Sequence, residues 1–313
     1  MDLKQLEYFV RVAELGSFTR ASHALNIAQP ALSRQVRLLE VELRQSLLTR
    51  NGRGALPTEA GQRLMEHARG ILHQVALTRE ELGAARGALT GRVSIGLPPS
   101  LSKLVTVPLT REFRQRLPDA PLKLTEGFSL LMNEGLRLGH LDAAVLYNPT
   151  PSADLEMSQL NEEALVLVSV RAGASPKGRV QMVDPKASSS NMESIGLVEV
   201  ASLPLIAPSR PNAFRMLIES EMARIDCKPA ITLEVDSLNA ILDLVKEGMG
   251  HAVLPAYTLH SFAGPHPFFT RRIVRPRLMS RLMLVWSSRR PNTATQREAM
   301  RIIRGVVLGA IQR

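Results

Sequence analysis

The sequence has a single cysteine, Cys227, in 313 residues. A lone thiol excludes an internal disulfide framework, a cysteine-based zinc finger and an iron–sulfur cluster, and it fits a reducing cytosol. Aromatic residues make up only 4% of the chain, too few to line a stacking platform for single-stranded nucleic acid. No apolar run approaches the ~20 residues that span a bilayer. The start, Met1-Asp2-Leu3-Lys4-Gln5, lacks the basic and apolar regions of an export signal. A membrane partner is therefore not expected, and a cytoplasmic location is. Phosphate-loop, His-Glu-x-x-His, Cys-x-x-Cys and Gly-x-Ser-x-Gly patterns are all missing, and the histidines are scattered. We expect no enzyme, no metal site and no cofactor beyond a small effector.

What is abundant is positive charge, with a formal net of +10. Such a balance suggests a polyanionic partner. Its distribution weakens that inference. Residues 270–313 hold 11 arginines and one acid, whereas residues 1–58 carry a net of only +3. Any nucleic-acid assignment must rest on motifs. The arginine-rich end reads as a solvated or intersubunit feature, with flanking DNA as the other option.

The first sixty residues supply the motif. Leu6, Phe9 and Ala13 form one apolar face of a helix, which Gly16 ends. Ser17 caps a short second helix with Phe18, Ala21, Ala24 and Leu25 on its stripe. After a turn, Pro30 suits the first position of a third helix. Leu32, Val36, Leu39 and Leu43 face inward there, and Gln29, Pro30, Ser33, Arg34 and Arg37 face outward. The stretch Thr49–Pro57 then reads as a hairpin with Arg50 and Arg53 at its basic tip. Two short angled helices and a basic hairpin make a winged helix-turn-helix. Its polar leading turn can reach base edges in a major groove, and its wing can meet phosphates. The alternative is a three-helix structural domain with a solvated polar face.

From Glu59 the chain reads helical to about Leu89. Leu64, Ala68, Ile71, Val75, Thr78, Leu82, Ala85 and Leu89 alternate spacings of four and three, which is a pairing seam. We take Leu64, Ala68, Ile71, Val75, Leu82 and Leu89 as dimer contacts. A dimer carries two recognition helices to an inverted repeat.

From residue 91 onward strands and helices alternate in two units, an α/β arrangement. The strands are Arg92–Leu97, Pro121–Thr125, the buried strand ending Gly139–Leu146, Ala164–Val170, Pro204–Ala207, Ile231–Val235 and Ala252–Leu254. Arg281–Trp286 returns to the first unit, and Thr295–Ile311 is the last helix. The expected domains are 1–58, 59–90 and 91–313, with lobe 1 at about 91–162 and 267–313 and lobe 2 at about 163–266. The run Val183–Asn191 reads as a mobile surface insertion rather than a lid. Ligands of open α/β sheets sit at strand carboxyl ends and helix N-termini. That places Ser100, Phe128, Ser129, Ser209, Arg210 and Ser237 at a candidate effector site, where hydroxyls and a guanidinium suit a small carboxylate. Ser100 and Ser237 could instead be helix caps.

The residues Phe9, Gly16-Ser17-Phe18, Ala21-Ser22, Leu25, Ala28–Ser33, Leu38-Leu39-Glu40, Leu43, Leu47-Leu48, Arg50 and Leu56–Gly61 resemble the N-terminal signature of LysR-type transcriptional regulators. Gly139–Val145 and Val245–Pro255 resemble phrases of that family's effector domain, a two-lobe α/β fold shaped like periplasmic binding proteins. The Ala28-Gln29-Pro30 and Leu47-Leu48 variants, with Val93–Leu97, are most similar to the nitrogen-assimilation-control subgroup. The resemblance implies a promoter-DNA-binding regulator that dimerises through the linker helix and pairs into tetramers, with RNA polymerase as a further partner. It also permits a vestigial cleft. Arg44 stands where the family usually has a glycine ending the recognition helix, which suggests a different helix end. The competing reading is a cytoplasmic small-molecule-binding protein whose helical N-terminal domain binds no DNA.

Overall fold

The computed structural model describes residues 1–51, 54–83, 89–171, 193–261, 267–289 and 292–311. Arg53, Ala85 and the insertion Val183–Asn191 lie outside these residues, as does the side chain of Arg50.

Helices α1 (Leu3–Leu15), α2 (Phe18–Leu25) and α3 (Gln29–Leu43) and strands β1 (Leu48–Asn51) and β2 (Gly54–Pro57) form the head. The ends follow from capping chemistry. Asp2 and Gln5 form a capping box on α1, and Gly16 closes it in the left-handed region at φ 62°. The Ser17 side chain accepts from the Arg20 amide to open α2. Leu6, Phe9, Leu32, Val36 and Leu39 make the fully buried core. The recognition helix α3 ends where the family pattern ends it, despite the missing glycine. Arg44 itself adopts φ 51° and donates its amide to Val41, so the expectation of a different helix end is corrected. The termination is set by the chain's turn toward the wing, which Glu40 enforces by accepting from the Leu47 and Leu48 amides at 2.8 and 3.2 Å.

Helix α4 (Glu59–Gly83) follows, opened by Thr58, whose hydroxyl accepts from the Gly61 amide at 3.0 Å. The helix is described as far as Gly83, and the expected continuation over residues 84–88 lies outside the described residues.

Lobe 1 comprises β3 (Val93–Leu97), α5 (Pro99–Arg116), β4 (Leu122–Glu126), α6 (Ser129–Leu138), β5 (Ala143–Tyr147) and the first part of β6 (Leu155–Val170). Its parallel core, β4-β3-β5, is extended by β12 (Met279–Ser287), antiparallel to both β5 and β6, and covered by α10 (Ala294–Ile311). Lobe 2 contains β7 (Ser194–Gly196), α7 (Leu197–Ala201), β8 (Leu205–Ala207), α8 (Ala213–Ala223), β9 (Ile231–Glu234), α9 (Leu238–Lys246), β10 (Ala252–Pro255), a 3-10 turn (Ala256–Ser261) and β11 (Phe268–Val274).

Strand β6 is the crossover. Residues 155–164 pair with β12 in lobe 1, and 165–170 pair with β10 and β11 in lobe 2. The return crossover lies between Val274 and Met279 rather than at 267, because β11 belongs to lobe 2. No described helix is long and apolar enough to cross a membrane.

Candidate nucleic-acid interface and interlobe cleft

The buried face of α3 fixes what the other face shows. Gln29, Pro30, Arg34 and Arg37 are exposed, and Ser33 is half-buried at the same leading end. The wing is seated on the head through Gly54, at φ 137°. The Ala55 amide donates to the Gly16 carbonyl at 3.0 Å, and a Cβ on Gly54 would come within 2.4 Å of that oxygen. The five helix residues expected to face DNA are thus brought together on one surface, beside the hairpin that carries Arg50. Arg53 lies outside the described residues.

The expected seam on α4 divides. Ala68 is fully buried and Leu64 is half-buried, and both pack into the head core with Met65 and Leu72. Ala68 therefore has no surface to offer a partner, and its assignment as a dimer contact is corrected. Leu89 lies beyond the helix and packs against the lobe 1 core, so it too leaves the seam. Ile71 and Leu82 are exposed at 39% and 77%, with half-buried Val75 on the same stripe. Together with exposed Thr78, these are the part of the seam still open to a second chain among the described residues.

Between the lobes lies a cleft lined by Pro98, Ser100, Phe128, Ser129, Tyr147, Asn212, Phe214 and Ser237, among others. It contains four of the six expected residues. Ser209 and Arg210 are not among its lining. Arg210 is exposed and turns to Glu219, at 2.8 Å, while the Ser209 amide donates to Asp236. Sequence order put Arg210 after a strand, but it could not show that an acidic partner on α8 would hold the guanidinium away. Burial pushes the Glu219 carboxyl up, and the hydrogen bonds from Arg210 and Arg215 outweigh that and hold it below the usual range.

Ser100 is not a helix cap. It is buried inside the first turn of α5, and its Oγ lies 2.9 Å from the Tyr147 hydroxyl and 3.4 Å from that of Tyr257. Tyr147 ends β5 in lobe 1 and Tyr257 belongs to lobe 2, so this chain of hydroxyls bridges the lobes. Burial pushes the Tyr257 phenol far up, which keeps it protonated. Tyr147 also meets Phe214 of lobe 2, with ring centroids 4.5 Å apart. The two tyrosines and Phe214 were not among the expected site residues, because nothing local in sequence marks residues that only tertiary structure brings together.

Ser237 does cap α9, accepting from the Ala240 amide, and Asn212 caps α8. By contrast, α5 and α6 follow Pro98 and Phe128, which give no side-chain cap. At α5, Pro99 has no amide hydrogen and the Leu101 and Ser102 amides donate to the Pro98 carbonyl, so the uncapped turn suited to an anionic or polar group is that of α6, whose first residue Ser129 lines the cleft. The cleft volume is about 40 Å³, room for a few waters.

Known proteins share this two-part organisation. Residues 3–62 match the family described as bacterial regulatory helix-turn-helix protein, lysR family, and residues 86–307 match the LysR substrate binding domain. The chain is a LysR-type transcriptional regulator. It is 34% identical to the nitrogen assimilation regulatory protein nac of Klebsiella aerogenes over 290 residues, covering 92% of this chain and 90% of that one. Its identity to the same-named protein of Escherichia coli K12 is 33% over 302 residues, covering 96% and 93%. Among solved structures, a full-length OxyR variant from Pseudomonas aeruginosa superposes with a TM-score of 0.70 at 23% identity, covering 98% of this chain and 94% of that one. CbnR in complex with its target DNA gives 0.68 at 23% identity, covering 98% and 100%. As a LysR-type regulator the chain binds DNA and carries an effector-type domain. It is not an enzyme, and the reading of its head as a non-DNA-binding domain is not favoured.

Proposed function

We propose that this regulator reads promoter inverted repeats as a dimer of dimers, with RNA polymerase as a further partner, acting in the cytoplasm. The single observation behind the reading mode is the polar leading turn of α3, exposed while the opposite face of the same helix is completely buried. Donors on such a turn fit the major groove. The exposed stripe Ile71, Val75 and Leu82 supports pairing through α4.

For the cleft we propose a small organic effector with a carboxylate or similar polar head. The uncapped N-terminus of α6 and the Ser100 and Ser129 hydroxyls would hold it. The narrowness of the cleft favours a second reading, in which it takes no ligand and the regulator is controlled by its abundance.

Gel shifts on inverted-repeat duplexes test the first proposal. Arg34→Ala and Ser33→Ala should each weaken specific binding about tenfold or more, at roughly 1–3 kcal/mol per base-reading contact. Unchanged specific binding in both variants would overturn it. Calorimetry with a panel of small carboxylates, in the wild type and in Ser100→Ala, decides between the two cleft readings.

A further inference from the structure

Helix α4 has a third face, used neither by the head nor by the seam. Glu66, Gly70 and His73 lie at i, i+4 and i+7 and meet the end of α6 and the turn after it. The backbone of Gly70 presses on the Leu138 carbonyl so closely that a Cβ would stand 1.9 Å from its oxygen. His140 reaches the Glu66 carbonyl at 2.8 Å through Nε2. That ring is kept neutral, since burial lowers its pKa, and it donates Nε2–H to the carbonyl.

The centre of the joint is Asp142, whose side chain is 3% exposed. Its Oδ1 accepts from His73 Nε2 at 2.7 Å and from Gln296 Nε2 at 2.6 Å, and its Oδ2 accepts from the Ser94 amide at 2.7 Å. A carboxylate only accepts, so the His73 proton on this contact sits on Nε2. One buried carboxylate thus ties the linker helix to β3 and to the start of α10.

The other end of α6 lines the cleft, through Phe128 and Ser129. Between the two ends the helix is seated without slack. Met132 and Leu136 are buried at 1% and 0%, and a Cβ on Gly96 of β3 would come within 2.5 Å of the Met132 sulfur. Ten residues at 1.5 Å each give a strut of about 15 Å. On the far side, α4 is equally fixed to the head, by Ala68 in the head core and by Arg69 on Glu14 at 2.9 Å.

We infer that α6 is a rigid relay, carrying movement of the cleft wall at Phe128–Ser129 through the joint at Leu138–Asp142 to the linker helix, and so to the reading head. This rests on the regulatory reading above and names its route. The joint is polar and centred on a single carboxylate, unlike the apolar seat of α4 on the head. Polar interdomain contacts of this kind are the ones that open and reform. Coupling between two sites is reciprocal, so the relay must work in both directions.

Hydrogen exchange on the full-length protein tests this without a ligand. His73→Ala should raise exchange at least threefold at both ends of α6, including residues 128–132 at the cleft, and His73→Gln, which keeps a donor, should restore it. Phe128→Ala should in turn change exchange at residues 66–74 of α4 by a similar factor. A response to His73→Ala confined to 66–74 and 138–142, or wild-type rates at 66–74 in Phe128→Ala, overturns the relay. Failure of the regulatory reading shows separately, as an absence of duplex binding by the wild type in the gel shift.

Discussion

Glu163 sits on β6 where the strand passes from lobe 1 to lobe 2, opposite Ser280. Its Oε1 is buried with no hydrogen-bond partner among the described residues. Burial raises its pKa from 4.5 to about 7. The sign follows from which state holds the proton more tightly. The folded chain does, so Glu163 penalises folding increasingly as the pH rises from 4.5 toward 7, with the full cost present above that. A displacement of this size corresponds to about 3 kcal/mol, at 1.36 kcal/mol per pH unit. Glu163→Gln removes the ionisation and keeps the shape. Chemical unfolding of both proteins at one fixed concentration, from pH 4 to 9, measures the difference. The variant should match the wild type near pH 4.5 and exceed it by about 2–3 kcal/mol above pH 7.5. A difference that does not change with pH, or a variant less stable at pH 8, would refute the reasoning.

Other outcomes follow from single residues. Arg44→Gly should stabilise the head by about 1 kcal/mol, since glycine takes the left-handed backbone at no cost, and a thermal melt of the full chain that shows no gain would contradict this. Gly54→Ala should lower DNA affinity and destabilise the head by about 2 kcal/mol, because it combines a strained φ with a clash on the Gly16 carbonyl. Its check is wild-type affinity in a gel shift. Ile71→Glu with Leu82→Glu should dissociate the α4 pairing in sedimentation while leaving the melt of each domain near wild type, and an unchanged assembly would remove the seam.

The head was legible almost residue by residue, because its helices are short, capped by local chemistry and striped by a core that spans only sixty positions. The parallel strands β3, β4 and β5 were equally plain, β3 and β4 by alternating apolar residues and β5 as an apolar run, each between turn residues. What escaped was set by distant partners. β6 begins at Leu155, ten residues before its apolar stretch, and the polar Asn161-Glu162-Glu163 inside it hides the crossover. Strand β11 was hidden by Arg271-Arg272 and α8 by the absence of a strong apolar period. Arg210 was expected at the cleft on strand order alone, and Glu219 decides otherwise. The regular spacing of Leu64 and Ala68 was real, but spacing cannot tell a core on the same chain from one on a partner.

Helix α4 turns that last ambiguity into a constraint on length. Its 25 residues present one stripe to the head, one to α6 and one outward, which the proposed pairing would use. At 3.6 residues per turn, one residue inserted between His73 and Val75 would rotate Val75 and Leu82 by about 100° relative to Ile71 and to the stripes that meet the head and α6. The two heads of a dimer would then keep their fold and their hold on α6, yet face the duplex out of phase. Four inserted residues would add only about 40° of rotation and about 6 Å of separation. In the proposed dimer the linker would thus act as a gauge, whose residue count sets the azimuth at which paired reading heads address successive turns of DNA.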